Sequence, residues 1–293
     1  MPRPDDETDE PSCVELEVRL LLEAIVARYG YDLRGYHPAS MARRARAAMV
    51  KTEAASLGEL QHRLLWDPAV FSVVLETLTV QVTEVFRDPA AYRHFRQEVL
   101  PVLRTYPQIR IWHAGCASGE EAFATAILLH EAGLLQRTQI YATDLSPLAI
   151  ERGRQGVYPL DRLQKFAANY TEMGGTRPLD EYCTVGYEHF VFKETLRRPI
   201  VFFQHDLVTD HTFGEMHVVF CRNVLIYFGP ELRARVIHKL SQSLVRGGFL
   251  CLGGSERIGD GEEEKLRFRV FSPEARIYRR ADRLPVQQGD DAR

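Results

Sequence analysis

The chain has 293 residues, of which 45% are hydrophobic and 26% are charged, and its formal net charge is −3. This length allows one large and one small domain, and the slightly negative charge gives no support for bulk nucleic-acid binding. Five cysteines are scattered without a C-x-x-C pair, so we expect free thiols in a cytoplasmic protein, with no disulfide framework and no metal site. We find no apolar run long enough to cross a membrane and no signal peptide.

The first 90 residues are predicted to form an acidic disordered tail, residues 1–13, and an all-helical domain, residues 14–90. A capping-box pattern, Ser56-x-x-Glu59, opens the third helix of this domain. The predicted helices cover Glu15–Tyr29, which stops at Gly30, then Ser40–Ala55, a segment from Ser56, and Ala69–Thr77. A further helix, Pro89–Arg104, leads into the second domain.

From Ile109 the pattern changes to alternating strands and helices, which predicts a second domain over residues 91–280 with a Rossmann-like, doubly wound parallel sheet and helices on both faces. The predicted strands are Ile109–Ala114, Gln139–Thr143, Ile200–Gln204, His217–Cys221 and Phe249–Gly253. The predicted helices between them are Glu120–Ala132, Pro147–Arg154 and Pro230–Leu244. Residues 268–279 predict antiparallel edge strands that turn at Ser272-Pro273.

Residues 159–199 do not follow this alternation. They contain Gly174-Gly175 and two short aromatic runs, Tyr182–Val185 and His189–Phe192, that are typical of strands. We therefore expect an inserted β-subdomain here, and a disordered tail over residues 281–293.

The stretch Ile109–Glu121, IRIWHAGCASGEE, reads as a strand, a tight glycine turn and the start of a helix. That order is typical of the first unit of a nucleoside-binding sheet. Glu120 and Glu121 follow the turn and would repel a phosphate, which disfavours a dehydrogenase. They favour a ligand with a positive charge, such as S-adenosylmethionine (SAM), which carries an α-amino group.

Two further polar positions follow predicted strands. Asp144 stands where this architecture holds ribose hydroxyls, although Asp144 or Ser146 could instead cap the next helix. Asn223 follows Arg222 at the carboxyl edge of the sheet, where ligands bind, although an asparagine there could also serve only a tight turn.

Several motifs together resemble the chemotaxis receptor methyltransferases, the CheR family of glutamate O-methyltransferases. The resemblance covers the chain from about Glu15 to Arg280. Its motifs are VTEVFRDP (Val82–Pro89), GCASGEEAF (Gly115–Phe123), ATDLS (Ala142–Ser146), HDL (His205–Leu207), FCRNVLIYF (Phe220–Phe228) and GGFLCLGGSE (Gly247–Glu256). It implies the fold of a class I SAM-dependent methyltransferase and a methyl-transfer reaction that releases S-adenosylhomocysteine.

The resemblance also implies which positions contact the cofactor. In this sequence they are Gln81, Thr83, Arg87, Gly115, Glu121, Asp144, Asp206, Leu207, Asn223 and Val224. Glu121 would bind the amino group and Asp144 the ribose, Asp206-Leu207 would border the adenine, and Asn223-Val224 would lie beside the methionine moiety. The family usually has Asn where Gln81 stands.

Arg87 and Tyr227 match the arginine and tyrosine that lie near the transferred methyl group in the family, so the resemblance implies a catalytic role for both. Without the resemblance to this family, Arg87 would be interpreted as forming a surface ion pair with Asp88 or Glu84. The acceptor would be a glutamate on the cytoplasmic helical bundle of a chemoreceptor.

The resemblance further implies that a basic helix of the first domain engages the acidic receptor, here through Arg43, Arg44 and Arg46. A solvated helix face is the alternative. We expect a monomer that neither binds nucleic acid nor inserts into a membrane. In some members of the family the inserted subdomain binds a C-terminal peptide of the receptor, and we expect that this protein does not depend on such a tether. Two other functions stay open, a methyltransferase with a different acceptor and a cofactor-sensing scaffold.

Overall fold

The computed structural model describes residues 12–79, 83–259 and 266–281. The chain divides into two compact units, Met1–Val80 and Gln81–Arg293. The division falls earlier than the boundary predicted at residue 90, because Val85 and Phe86 are buried in the hydrophobic core of the second unit. Most of both predicted tails lies outside the described residues, but Ser12 and Cys13 already belong to the first helix and its cap.

The N-terminal unit contains the four predicted helices. They are α1 (Cys13–Tyr29), α2 (Pro38–Lys51), α3 (Leu57–Trp66) and α4 (Pro68–Leu78). Helix α1 begins earlier than predicted because Ser12 and Glu15 form a capping box, and it ends at Gly30 in the left-handed conformation, φ +81°. Leu21, Leu60 and Val74 are fully buried, so helices from different parts of the unit share one apolar core.

The helix predicted over residues 89–104 is interrupted. It consists of α5 (Pro89–His94), a π-helical turn (Phe95–Val99) and α6 (Leu100–Leu103). Pro101 has no N–H group, so the carbonyl of Gln97 receives no helical hydrogen bond from it. Directly before the proline, the Leu100 N–H donates to the Phe95 carbonyl, five residues back, as in a π-helix. The proline thus accounts for the wider turn.

The second unit is built on a seven-stranded sheet. Its strands are β1 (Ile109–Ala114), β2 (Thr138–Asp144), β6 (Ile200–Gln204), β7 (Met216–Cys221), β8 (Leu244–Leu252), β9 (Phe268–Ser272) and β10 (Ile277–Arg280). They lie in the order β6-β2-β1-β7-β8-β10-β9. The first five strands in this order are parallel, and β9 and β10 form the antiparallel edge. The predicted sheet is therefore confirmed.

Helices connect the parallel strands. They are α7 (Glu120–Glu131), α8 (Pro147–Gln155) and α11 (Pro230–Ser243), which agree with the predicted helices to within a residue at each end. Because the strands are parallel, the loops that follow β1, β2, β7 and β8 all lie at the carboxyl edge of the sheet. This edge holds most of the residues singled out in the sequence.

The inserted segment forms a second, three-stranded sheet from β3 (Val157–Pro159), β4 (Cys183–Val185) and β5 (His189–Phe192), in the order β3-β5-β4. The segment also contains α9 (Asp161–Glu172) and the short α10 (Glu194–Arg197). Phe190 and Phe192 are 1% exposed and belong to the same hydrophobic cluster as Phe123 of α7. The insert therefore packs onto the core of the second unit.

Candidate cofactor-binding and active site

The glycine loop after β1 approaches the neighbouring strand ends closely. The N–H groups of Gly115 and Cys116 both donate to the Thr143 carbonyl at 2.8 Å. Gly115 has φ +75°, and a Cβ added there would lie 2.5 Å from Val224 Cγ2. Only glycine fits here, since any side chain would displace Val224. The structure thus brings together two predicted site residues from distant parts of the sequence.

The two carboxylates that follow the loop have different surroundings. Glu120 is 1% exposed and accepts from the Ser118 hydroxyl at 2.8 Å and from Arg162 Nη1 at 2.6 Å. Burial raises the pKa of Glu120. Its bonds run along the loop and to α9, so Glu120 tethers the glycine loop to the inserted segment.

Glu121 instead faces positive charge. Its Oε2 accepts from Arg222 Nη1 at 3.2 Å, and its Oε1 lies 3.7 Å from His113 Nδ1. Burial alone would raise the pKa of Glu121, but the Arg222 charge, the His113 ring and the Arg87 charge together hold it below its ordinary value. Glu121 is therefore a buried anion at neutral pH.

Arg222 connects three segments of the site. Its side chain is 3% exposed, and besides Glu121 it donates to Asp88 Oδ2 at 2.8 Å and to the Arg87 carbonyl at 3.0 Å. From the sequence, Arg222 was predicted only to be a polar residue at the carboxyl edge of the sheet. A charged residue inside the apolar run 220–228 is the one signal that could have indicated this connecting role.

The acids next to Arg87 have other partners. Asp88 pairs with Arg222, and Glu84 lies 4.0 Å from Lys165. In the described parts of the chain neither acid forms an ion pair with Arg87, which removes the alternative of a surface ion pair. Arg87 is half-buried, and its charge contributes to the lowered pKa of Glu121.

Asp144 is 8% exposed and lies at the end of β2. Its Oδ2 accepts from Ala117 N–H at 2.8 Å and its Oδ1 from Ser146 N–H at 2.9 Å. The cap of α8 is Ser146, whose hydroxyl accepts from Ala149 N–H at 3.2 Å. These two backbone bonds orient the Asp144 carboxylate at the carboxyl edge of the sheet.

Asp206 and Leu207 follow β6, the strand paired with β2, and His205 N–H donates to the Asp144 carbonyl at 3.0 Å. Asp206 accepts from Val208 N–H at 2.7 Å, and burial raises the pKa of its carboxyl group. Lys239 of α11 holds the loop through the carbonyls of Leu207 and Val208. The pair therefore lies at the same sheet edge as Asp144.

Asn223, two residues after the end of β7, adopts a left-handed conformation, φ +60°. Its Oδ1 is buried and has no hydrogen-bond donor within residues 12–79, 83–259 and 266–281. Its N–H donates to Glu256 Oε2 at 2.8 Å. The predicted site did not include Glu256, whose contacts with the backbone after β7 depend on the packing of two neighbouring loops.

Tyr227 ends a short 3₁₀ turn, Leu225–Tyr227, and is half-buried. Thr83 is also half-buried. Gln81, predicted to contact the cofactor, lies outside the described residues.

The structure corrects the prediction for one basic residue of α2. Arg44 is 6% exposed and donates to the Leu78 carbonyl at 2.7 Å, so it holds the end of α4 and is not available to a partner. Arg43 and Arg46 are exposed. Met41, Arg44 and Ala48 have the spacing of a single helix face, the buried face of α2, so helical periodicity separates Arg44 from Arg43 and Arg46.

The described residues contain no group of three or more His, Cys, Asp or Glu side chains that could hold a metal ion. Nor does any helix among them have the length and apolar character needed to span a membrane.

Comparison with known families covers both units. Residues 81–273 match the model described as CheR methyltransferase, SAM binding domain, and residues 16–79 match the one described as CheR methyltransferase, all-alpha domain. The chain is 42% identical over 267 residues to the protein Cher3 of Pseudomonas putida, covering 91% of this chain and 97% of Cher3. It is 30% identical over 231 residues to the chemotaxis protein methyltransferase of Listeria monocytogenes, covering 78% of this chain and 85% of the relative. The corresponding protein of Vibrio parahaemolyticus is 32% identical over 191 residues, which are 63% of this chain and 67% of that one.

Proposed function

The chain belongs to the CheR methyltransferase family, and from this premise we propose that it methylates glutamate side chains of chemoreceptors. It is a SAM-dependent methyltransferase with the class I fold, and S-adenosylhomocysteine is its product. In the proposed reaction the acceptor glutamates lie on the cytoplasmic helices of the receptor and become γ-methyl esters. The proposal places the enzyme in the cytoplasm, as a monomer.

The buried anion Glu121 carries the proposal for the cofactor site. The SAM α-ammonium is a cation with three donors, and Glu121 and the Asn223 Oδ1 atom are acceptors at the carboxyl edge of the sheet. The Arg222 charge holds Glu121 ionised, so no proton has to leave before SAM binds. Glu121 would thus bind the ammonium, with Asn223 beside the methionine moiety.

The other cofactor contacts follow the order of the strands. Asp144, oriented by two backbone N–H groups, would accept from the ribose hydroxyls. Asp206-Leu207, at the end of the neighbouring strand, would border the adenine. Gly115 and Val224 would bound the methionine side. Gln81 and Thr83 belong to the proposed site through the family resemblance alone.

The chemistry needs no general base. A glutamate side chain, with a reference pKa of about 4.3, is already ionised at neutral pH. Bound SAM would supply a methyl group already activated by its sulfonium: one oxygen of the acceptor carboxylate would bond to that methyl carbon as the bond from carbon to sulfur broke, and the electron pair of that bond would stay on the sulfur of S-adenosylhomocysteine. Catalysis then depends on in-line positioning and on exclusion of water around the attacking oxygen.

Arg87 is the proposed orienting residue for the acceptor, because a guanidinium can bind a carboxylate through two parallel hydrogen bonds. The hydrogen bond from Arg222 to the Arg87 carbonyl fixes the Arg87 backbone. The neighbouring acid, Asp88, forms an ion pair with Arg222. Tyr227 would orient the same carboxylate through its hydroxyl group. Both residues are half-buried, which suits groups that must reach an incoming side chain.

The proposed docking surface for the receptor consists of Arg43 and Arg46, the exposed arginines of α2. Methyl-accepting helices are rich in acids, so an exposed basic helix face offers complementary charge.

Mass spectrometry of a receptor cytoplasmic fragment incubated with the protein and SAM tests the proposed function. Methyl groups located on glutamate residues of the fragment would support it. If the fragment gains no methyl group while calorimetry still detects SAM binding, the acceptor is different or the protein is a cofactor-sensing scaffold.

A further inference from the structure

Glu256 is a buried carboxylate at the sheet edge. It follows β8 in the loop Gly253–Glu256 and is 1% exposed. Strands β7 and β8 are parallel, with Cys221 opposite Leu252, so this loop runs beside the segment that begins with Arg222 and Asn223. Within the described residues Glu256 forms no ion pair with an arginine, lysine or histidine.

Backbone N–H groups surround the carboxylate instead. Its Oε2 accepts from Gly253 N–H at 2.7 Å and from Asn223 N–H at 2.8 Å, and its Oε1 accepts from Ile226 N–H at 3.2 Å. Hydrogen bonds to an ionised acceptor are stronger than those between neutral groups. One side chain thus satisfies three donors in two loops.

These bonds hold both ends of the segment 223–226, which Tyr227 follows directly. Asn223, at one end, is held with φ +60°, a conformation that non-glycine residues adopt at a cost. Ile226, at the other end, belongs to the 3₁₀ turn that finishes at Tyr227. The proposed site takes Asn223, Val224 and Tyr227 from this stretch of chain, so the bonds at residues 223 and 226 hold the backbone that carries all three.

Gly253 shows how closely the two loops approach. A Cβ added there would lie 2.8 Å from Glu256 Oε2 and 2.9 Å from both the N and Nδ2 atoms of Asn223. The adjacent Gly254 would meet nothing within 4 Å. The close approach is therefore specific to the point where Glu256 and Asn223 meet.

We infer that Glu256 is a positioning residue of the methyltransferase, whose carboxylate fixes Asn223 toward the cofactor and Tyr227 toward the acceptor. The inference rests on the proposed function only for the identity of the two ligands. Glu256 itself touches backbone groups and does not take part in the chemical step. The unpartnered Asn223 Oδ1, buried beside this anchor, is the atom whose direction it sets.

Two variants test the inference by independent routes. Glu256→Gln keeps the shape of the side chain but turns an NH₂ group toward backbone donors, and Gly253→Ala pushes a methyl group between the carboxylate and Asn223. In each we expect the dissociation constant for SAM, measured by calorimetry, to rise by at least about tenfold, since charge-assisted bonds are lost. We also expect a fall in kcat, because Tyr227 moves.

Gly254→Ala is the matched control in the same loop, and it should bind SAM and turn over as the wild type does. Val236→Ala, which shortens a fully buried side chain of α11, provides a second control with lowered thermal stability and unchanged SAM affinity. If Glu256→Gln binds SAM as tightly as the wild type and keeps its kcat, the inference is wrong. If the wild type itself does not bind SAM, the proposed function fails instead.

Discussion

The guanidinium of Arg222 donates to the carboxylate of Glu121 at 3.2 Å across 101 residues of sequence. The same Nη1 atom also donates to the Arg87 carbonyl at 3.0 Å. Arg222 therefore joins the acid proposed to bind the SAM ammonium to the backbone of the arginine proposed to orient the acceptor. One buried cation thus contacts both the cofactor side and the acceptor side of the proposed site.

Arg222→Lys should weaken this connection, because an ammonium cannot bridge Glu121, Asp88 and the Arg87 carbonyl in the way a planar guanidinium does. We expect SAM affinity to fall by at least about tenfold, together with a lower melting temperature. Arg110→Lys, which alters an exposed ion pair with Glu215 at the opposite edge of the sheet, should change neither. Calorimetry and thermal unfolding measure the two effects, and equal SAM affinity in all three proteins would contradict the account.

Glu121→Gln should lower stability in a way that depends on pH. The pKa of Glu121 is depressed in the folded protein, so its ionised form contributes stability above the unfolded pKa of about 4.3. That contribution is lost as the pH falls toward the lower, folded value. We expect the difference in unfolding free energy between wild type and variant to be constant from neutral pH to about pH 5 and to shrink below about pH 4. Denaturant unfolding at several pH values measures it, and a difference that grows on acidification would contradict the pairing.

Asp144 and Ser146 should separate cofactor binding from helix capping. Ser146→Ala removes the cap of α8 and should cost about 1 kcal/mol of stability with little change in SAM affinity. Asp144→Ala should raise the dissociation constant for SAM by at least about tenfold through loss of the ribose acceptor. Calorimetry of both variants decides the matter, since the reverse pattern would assign the cofactor contact to Ser146.

Arg87→Ala should lower kcat more than SAM affinity. The variant keeps the backbone carbonyl that Arg222 binds, so the cofactor side retains its anchor while the acceptor loses its guanidinium. A fall of at least about tenfold in kcat, with the SAM dissociation constant within about threefold of the wild type, is expected for one lost charge-assisted contact. A variant that loses SAM binding and keeps its kcat would assign Arg87 to the cofactor alone.

The arginines of α2 should fall into two classes. Arg43→Glu and Arg46→Glu should raise the KM for a receptor fragment and leave SAM affinity and melting temperature unchanged, because both side chains are exposed. Arg44→Met should instead lower stability by about 1 to 3 kcal/mol, since it leaves the buried Leu78 carbonyl without its donor. Steady-state kinetics with the fragment tests the surface, and an unchanged KM in both exposed variants would remove it from the account.

Local patterns in the sequence predicted much of this fold. The strand ends before Gly115, Asp144 and Asn223 were visible as apolar runs, and the parallel order of the sheet brings them to one edge as predicted. The π-helical turn at Phe95–Val99 was missed, since its signal is a single proline within a helical pattern.

Contacts between distant residues were not predictable in this way. The bond of Arg44 to the Leu78 carbonyl, the bonds of Arg222 to Glu121 and Asp88, and the bonds of Glu256 to backbone groups each depend on how separate elements pack. A charged residue in an apolar context indicates that a partner is needed, but one sequence does not identify that partner. The site residues predicted from the sequence are therefore mainly those that follow strands. The residues that the prediction missed are those whose side chains hold these positions in place.

The central claim is the transfer of a methyl group to glutamate carboxylates of a receptor, and the lability of the product tests it most directly. A receptor cytoplasmic fragment is incubated with the protein and radiolabelled SAM, freed of unreacted SAM, and treated with mild alkali. The account predicts that the label enters the fragment and leaves as volatile methanol, as a methyl ester requires. Label that enters the fragment and resists alkali would mean methylation on nitrogen or carbon and would contradict it.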